Sequence, residues 1–405
     1  MAMKQTQTKM FDFSDAGLDF CAGSKSLFPD RFKKILSTGY NTQTVASVTV
    51  AGNQVTLTYG VSHGYAADRV LKIDSGVLAG INGGEFWIDS VASNTVTLTI
   101  DDAPVAIAGA FTTKIASLGW ELVFEQPYIH VYKFKHIDDT DMYIRLCFQN
   151  NAAYRNRVAP CVGRTYDAAT GFITDSNSFV ETKEITLPNI MAWEFQLWNT
   201  TSYNTANYVT GFNEFGAMKV VGSIYHLVLM GSLSNGNGNM SINAILPVKV
   251  ISAVLDYPLI LCAENGNPSS NGQGAQYEYG RMLLGRYYCA PYEQRNTTTK
   301  NLSGSNSSAP SSPTSYLPSE IDEFNTTTAY PINLFLCATG QFVGTAAGGL
   351  YKTMYGPSGY PAITYKTQPY QTMDIDLASI CLVSQLGAGD LTYAQWYTAP
   401  IEAIK

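Results

Sequence analysis

Four groups able to take part in acid–base or metal chemistry fall within six residues, at His136-Ile137-Asp138-Asp139-Thr140-Asp141. Three carboxylates beside an imidazole can ligate a divalent cation through oxygen, or can supply an acid and a base for proton transfer. The spacing is not that of an EF-hand loop, because Asp138, Asp139 and Asp141 come with neither the central glycine nor the terminal glutamate. Two alternating apolar runs, Ile129–Lys135 and Met142–Phe148, flank the segment and place it where a hairpin turn belongs. Aspartate is favoured in turns for an ordinary reason, since its side chain bonds its own backbone. The turn reading is preferred, and no catalytic role is expected for the three aspartates.

A second set consists of Glu121, Glu125, Glu194 and Glu214, which lie beside Trp120, Phe124, Trp193, Phe195, Phe212 and Phe215. Paired carboxylates among aromatic rings are what a glycoside hydrolase uses to flank a sugar. Strand alternation instead sends many of these glutamates to the solvent face. His226 falls in Ile224-Tyr-His-Leu-Val228, which reads as an apolar strand holding a hydrogen-bonded core histidine. The chain has no Walker motif, and no helical pattern follows Asn235-Gly-Asn-Gly-Asn239, so that run is not a dinucleotide fingerprint. Catalytic, cofactor-binding and metal-ligating residues are therefore all expected to be none, and the protein is not expected to be an enzyme.

The elements that would position these groups are strands. Ser47-Val-Thr-Val-Ala-Gly-Asn-Gln-Val-Thr-Leu-Thr58 returns as Asp89-Ser-Val-Ala-Ser-Asn-Thr-Val-Thr-Leu-Thr99. Both copies alternate apolar and polar residues and break at a short turn, the signature of a half-buried hairpin. Residues 45–115 are thus expected to form a small β module with an internal hairpin repeat. Residues 116–295 run strand after strand as a main β domain. In it Val248-Lys-Val-Ile-Ser-Ala-Val-Leu-Asp-Tyr-Pro-Leu-Ile-Leu-Cys262 is apolar enough to be expected at the centre. Residues 1–44 hold the one helix candidate, with Asp30 near its start and Gly39 just past its end, and read as a docking arm. Residues 296–319 form a Ser/Thr/Asn-rich strap, and 320–405 a C-terminal β part packed on the main domain. The fold class is mainly β, with antiparallel sandwich- or barrel-like domains and a short N-terminal helical arm.

Composition narrows the partners. Charged residues are 14% of the 405, against roughly 25% in a typical globular protein, and the net charge is −7. Polar surface must then come from Asn, Ser, Thr, Gln and Tyr, which desolvate at less cost than Lys or Glu and suit contact with further copies. The densest basic run, Arg31-Phe-Lys33-Lys34, is too short to serve a nucleic acid. No apolar run is long enough for a membrane span, and no secretory signal is visible, so synthesis and folding in a cytoplasm are expected. The seven cysteines are scattered without a C-x-x-C and read as buried reduced thiols. The N-x-S/T triplets at Asn199, Asn239, Asn296, Asn301, Asn306 and Asn325 read as composition.

Two stretches carry a family resemblance: Asn53-Gln-Val-Thr-Leu-Thr-Tyr-Gly-Val-Ser-His-Gly-Tyr65, and Gly119-Trp-Glu-Leu-Val-Phe-Glu-Gln126 with His130-Val-Tyr-Lys-Phe-Lys-His-Ile-Asp-Asp-Thr-Asp-Met-Tyr143. In phrase and texture they resemble virion structural proteins of tailed bacteriophages, in the style of tail- and baseplate-associated proteins, over roughly residues 45 to 165. The resemblance implies a protein made in the host cytoplasm and built in several copies into the virion, with itself and other tail proteins as partners. The alternative is a receptor-binding or glycan-processing tail protein that engages a host surface glycan. The resemblance carries over no catalytic residue and no cofactor.

Overall fold

The computed structural model describes residues 8–18, 26–148, 150, 157–178, 193–194, 218–232, 240–262, 282–291, 329–353, 370–372, 380–386 and 395–401. The strap at 296–319, Glu214, Cys21 and the asparagines of the six N-x-S/T triplets lie outside them. The described chain is mainly β, as its alternation predicts, with one short α-helix.

The chain opens with β1 (Lys9–Asp12) and α1 (Phe28–Lys33), whose last turn widens into a π turn over Lys34–Thr38. Pro29 suits the first turn, where its missing N–H is no loss. Gly39 ends the π turn at φ 73, and a Cβ there would lie 2.3 Å from the Ile115 carbonyl oxygen. The module follows as β2 (Tyr40–Ala51), β3 (Gln54–Tyr59), β4 (Val70–Ile73), β5 (Glu85–Trp87), β6 (Ser90–Val91), β7 (Thr95–Thr99) and β8 (Thr112–Ile115). They form one sheet in the order β5-β4-β8-β2-β3-β7-β6. Its first strand begins at Tyr40, inside the segment read from sequence as an arm.

The two copies of the repeat are neighbours in this sheet. Hairpin β2–β3 turns at Gly52-Asn53, where Gly52 takes the positive φ of 61 that a II′-type loop needs at its first position. Hairpin β6–β7 turns at 92–94. The inner strands pair antiparallel with each other, Val55 with Leu98, Thr56 with Thr97 and Leu57 with Val96. The duplication is thus a pseudo-twofold, four-stranded unit centred on Thr56 and Thr97. Val55, Leu57, Val96 and Leu98 are buried on one face, while the threonines line the other.

Next come β9 (Glu121–Gln126), β10 (Ile129–Lys135), β11 (Asp141–Cys147), β12 (Arg157–Gly163) and β13 (Trp193–Glu194), an antiparallel meander paired in chain order. Its inner face carries Phe134, which stacks on Trp120 at 4.8 Å, and Phe148, which meets Phe32 at 5.6 Å. Its outer face is covered by the segment 164–178, with Phe172 over the buried Arg145 guanidinium.

The remaining strands are β14 (Met218–Gly222), β15 (Leu227–Ser232), β16 (Met240–Leu246), β17 (Val248–Val250), β18 (Leu259–Leu261), β19 (Met282–Leu284), β20 (Tyr287–Ala290), β21 (Ala329–Pro331), β22 (Asn333–Leu336), β23 (Phe342–Ala346), β24 (Tyr351–Thr353), β25 (Tyr370–Thr372), β26 (Ile380–Leu386) and β27 (Gln395–Ile401). Ten strands join as β1-β14-β15-β16-β18-β19-β20-β22-β23-β17, and five as β21-β24-β27-β26-β25. The ten-stranded sheet therefore draws on three of the segments separated by sequence. Residues 9–12 of the expected docking arm form its edge strand, and β22 and β23 come from the C-terminal part. One apolar core runs without a break from Phe28 and Leu57 to Leu229, Leu284 and Ile401.

Two expectations are corrected. Val248–Cys262 is not central throughout. Its first part is the other edge strand, Ile251 and Val254 are 62% and 58% exposed, and only Leu259–Leu261 lies mid-sheet. The chain reverses at the short 3-10 turn Ala253–Leu255, which divides the apolar run in two. His226 lies not in a strand but in the loop of the β14–β15 hairpin. Cys147, Cys161, Cys262, Cys289 and Cys337 are buried and in no disulfide. Among the described residues no helix is long and apolar enough to cross a membrane.

Residues 9–15 bind these sheets to one another by side-chain charge. Lys9 Nζ contacts Glu85 of β5 at 2.8 Å and donates to the Ser117 carbonyl. Asp12 pairs with Lys219 of β14. Asp15 takes a two-pronged contact from Arg69, Nε to Oδ2 at 2.8 Å and Nη2 to Oδ1 at 2.9 Å, and also accepts from the Tyr40 hydroxyl and the Asp12 amide. The Asp15→Ala variant is expected to lose about 3–5 kcal/mol of stability in chemical denaturation, because it strands the buried Arg69 charge. A loss below about 1 kcal/mol would show that Arg69 finds other partners.

Candidate functional site

The segment 136–140 is the loop of the β10–β11 hairpin, in which Lys135 stands opposite Asp141. Its backbone closes through the His136 amide on the Thr140 carbonyl and the Asp139 amide on the His136 carbonyl. Asp139 takes φ 65, a left-handed conformation that Asp tolerates better than most residues. The three carboxylates point to three separate partners. Asp138 Oδ1 accepts from the Thr140 amide and hydroxyl at 3.0 and 2.6 Å. Partial burial opposes its charge, but these hydrogen bonds outweigh it and hold the carboxyl below its ordinary value. Asp139 accepts from the Tyr225 hydroxyl at 2.6 Å. Asp141 takes a 2.6 Å contact from Lys135, whose hydrogen bond and charge hold it below the ordinary range.

His136 turns away from them. Its ring is fully buried, with Nε2 2.9 Å from Asp256 Oδ1, and Nδ1 has no hydrogen-bond partner among the described residues. Asp256 is shared with Arg164, which reaches its carbonyl at 2.7 Å and its carboxylate at 3.2 Å and lies over the Tyr257 ring. Tyr257 in turn donates to Asp175, which also accepts from the Arg164 and Asn177 amides. Burial works against the Asp175 charge, and those donors hold its carboxyl low regardless. This network joins the hairpin loop to the segments 164–178 and 251–257. Sequence reasoning missed Asp256, Arg164, Asp175 and Tyr257, because they lie 28 to 121 residues after His136 and no local spacing links them to the motif.

The glutamates are no better assembled. Glu121 pairs with Lys133. Glu125 takes Lys33 Nζ at 2.8 and 2.9 Å and lies 3.9 Å from His130 Nε2. Glu194 is placed only by its backbone, opposite Arg157. Among the described residues, no group of three or more His, Cys, Asp or Glu side chains is arranged to hold a metal ion. In the His226 loop, Ser223 Oγ lies 2.8 Å from His226 Nδ1 and accepts from the Tyr225 amide, while Gly349 lies so close that a Cβ there would strike the imidazole. Both Ser223 and His226 are buried, and their contacts close the turn between β14 and β15. Set against known protein families, curated proteins and solved structures, the chain matches none.

Replacing Asp138, Asp139 and Asp141 together by Asn is expected to lower stability by no more than about 2 kcal/mol, since Asn keeps the turn acceptor and tolerates the left-handed backbone. Thermal unfolding measures this, and loss of the folded state would reveal a larger role. Acid should act elsewhere. Burial pushes the imidazoles of His130 and His226 down to about 4, while in the unfolded chain they titrate near the ordinary 6.5. The unfolded chain then binds more protons between those values. Stability is full above 6.5 and falls as pH drops towards 4, by an amount on the order of 3 kcal/mol for each group. A His226→Gln variant should show a shallower fall of denaturation midpoint across that window, and an unchanged slope would refute the assignment.

Proposed function

We propose that this chain is a structural component of a tailed-bacteriophage particle, of its tail or baseplate, acting by assembly in several copies. The carrying observation is the outward face of the duplicated hairpins. Thr49, Thr56, Thr97 and Ser90 fall in one cross-strand row, Ser47, Thr58 and Thr95 in the next, and Ala51, Gln54 and Thr99 in a third. None of these residues is buried or charged. A pleated face of short hydroxyls can be desolvated against a second copy at far lower cost than one of lysines and glutamates. Its pseudo-twofold pattern offers similar rows to either approach, and contacts that close upon themselves yield rings. The phage-like phrases at 53–65 and 119–143 support the same reading. So do the lysine partners of Glu121 and Glu125, which engage two of the four carboxylates that the glycan-processing alternative draws on.

On this proposal the protein is made in the host cytoplasm and works in the virion, with itself and other tail proteins as partners. Sedimentation of the full chain is expected to show a closed oligomer. The double variant Thr56→Lys, Thr97→Lys, which puts two ammonium groups side by side at the centre of the face, is expected to weaken association by about tenfold or more. A chain that stays monomeric at every concentration and cleaves a surface polysaccharide would instead support the glycan-processing alternative.

A further inference from the structure

Asp12 and Lys219 stand directly opposite one another on the antiparallel strands β1 and β14. Lys219 Nζ is in contact with Asp12 Oδ2, and each side chain is only 10% exposed. Met10, Phe11, Phe13, Met218, Val220 and Val221 around them are buried. The other carboxylate oxygen, Oδ1, accepts from the Ser14 amide at 2.9 Å and the Ser14 hydroxyl at 2.8 Å. The pair thus presents an amine, a carboxyl group, and two fixed donors on the oxygen that does not touch the amine. We propose that Asp12 and Lys219 become joined by an isopeptide bond, a side-chain amide between Asp12 Cγ and Lys219 Nζ.

The step balances without an oxidant, a reductant or a cofactor. One ammonium proton passes from Nζ to Oδ2, the freed Nζ lone pair adds to Cγ, and the negative charge that develops on Oδ1 is met by the two Ser14 donors. The Cγ–Oδ2 bond then breaks. Oδ2 leaves as water with two of the three protons of the ammonium group, and the third stays on the amide nitrogen. Three conditions favour the exchange. Strand pairing holds the two groups at an effective concentration that free solutes never reach. Burial pushes the Lys219 ammonium down to about 8, so that roughly one lysine in ten is a free amine near neutrality. A buried ion pair, with both charges kept from water, gives way to one neutral amide, which removes the desolvation penalty of both ions. The product ties the edge strand of the ten-stranded sheet to its neighbour and closes a covalent loop between residues 207 apart.

This inference does not depend on the particle reading, and mass spectrometry of the purified full chain tests it directly. The intact wild-type chain is expected to be lighter than its sequence by one water molecule. Proteolysis is expected to release a branched peptide in which the Asp12 segment is joined to the Lys219 segment. Asp12→Ala and Lys219→Arg, each made alone, are expected to restore the full sequence mass, and a denatured sample suffices, so folding of the variants does not matter. A wild-type chain at its full sequence mass would overturn the proposal. So would a lighter chain whose digest holds separate, unbranched Asp12 and Lys219 peptides.

Discussion

The fork of hydrogen bonds between Arg69 and Asp15 is the constraint around which the rest is arranged. Asp15 belongs to the segment that supplies the edge of the ten-stranded sheet, and Arg69 to the module. A guanidinium taken out of water is tolerated only if its donors are met in fixed geometry, and Asp15 meets two of them. The same carboxylate accepts the Tyr40 hydroxyl at the first residue of β2, whose ionisation burial and the neighbouring Asp15 charge push well up. Lys9 and Asp12 extend the tie on either side, to Glu85 in the module and Lys219 in the sheet. Seven residues thus fix how two sheets meet. The continuous apolar core shared by module and main sheet is possible because that junction is rigid.

Much of the architecture was legible in local sequence, because its strands announce themselves by alternation. The V-T-L-T copies gave both hairpins and their turn residues, and Gly39 marked the end of the helical segment where a side chain would strike a carbonyl. What local pattern could not give was partnership across long separations. Nothing in Lys9–Asp12 says that it pairs with Met218–Gly222, since four residues of mixed character suit an arm as well as an edge strand. Strand order depends on which buried faces meet, and that is a property of the whole chain. Val248–Cys262 misled for a related reason. An apolar run need not be one element, and the turn at Ala253–Leu255 divides an edge from a centre.

The candidate site was legible in part. Turn chemistry at Asp138 follows from residue type, and its carboxylate accepts from the Thr140 amide as that chemistry requires, whereas Asp139 is bonded by the distant Tyr225 and Asp141 by Lys135. His136 was grouped with those aspartates on sequence distance alone. It bonds instead to Asp256, 120 residues away, because the hairpin loop packs against the segment that leads into β18. His226 was read as core, which its burial supports, but its apolar neighbours hid a loop. Ser223 accepts the Tyr225 amide there, as a short polar side chain does in a turn.

The position of β1 also bears on the order in which the molecule is made. β1 leaves the ribosome long before its partner β14, with 207 residues between Asp12 and Lys219. At common rates of elongation that interval is roughly ten to forty seconds. Throughout it, Met10, Phe11 and Phe13 have no sheet to enter, although they end almost wholly buried. The module can bring Arg69 and Glu85 to Asp15 and Lys9 much earlier, since its strands are complete by Ile115. Residues 9–15 would then be held by charge first and by backbone pairing last, so that this edge of the large sheet closes only once β14 has been made.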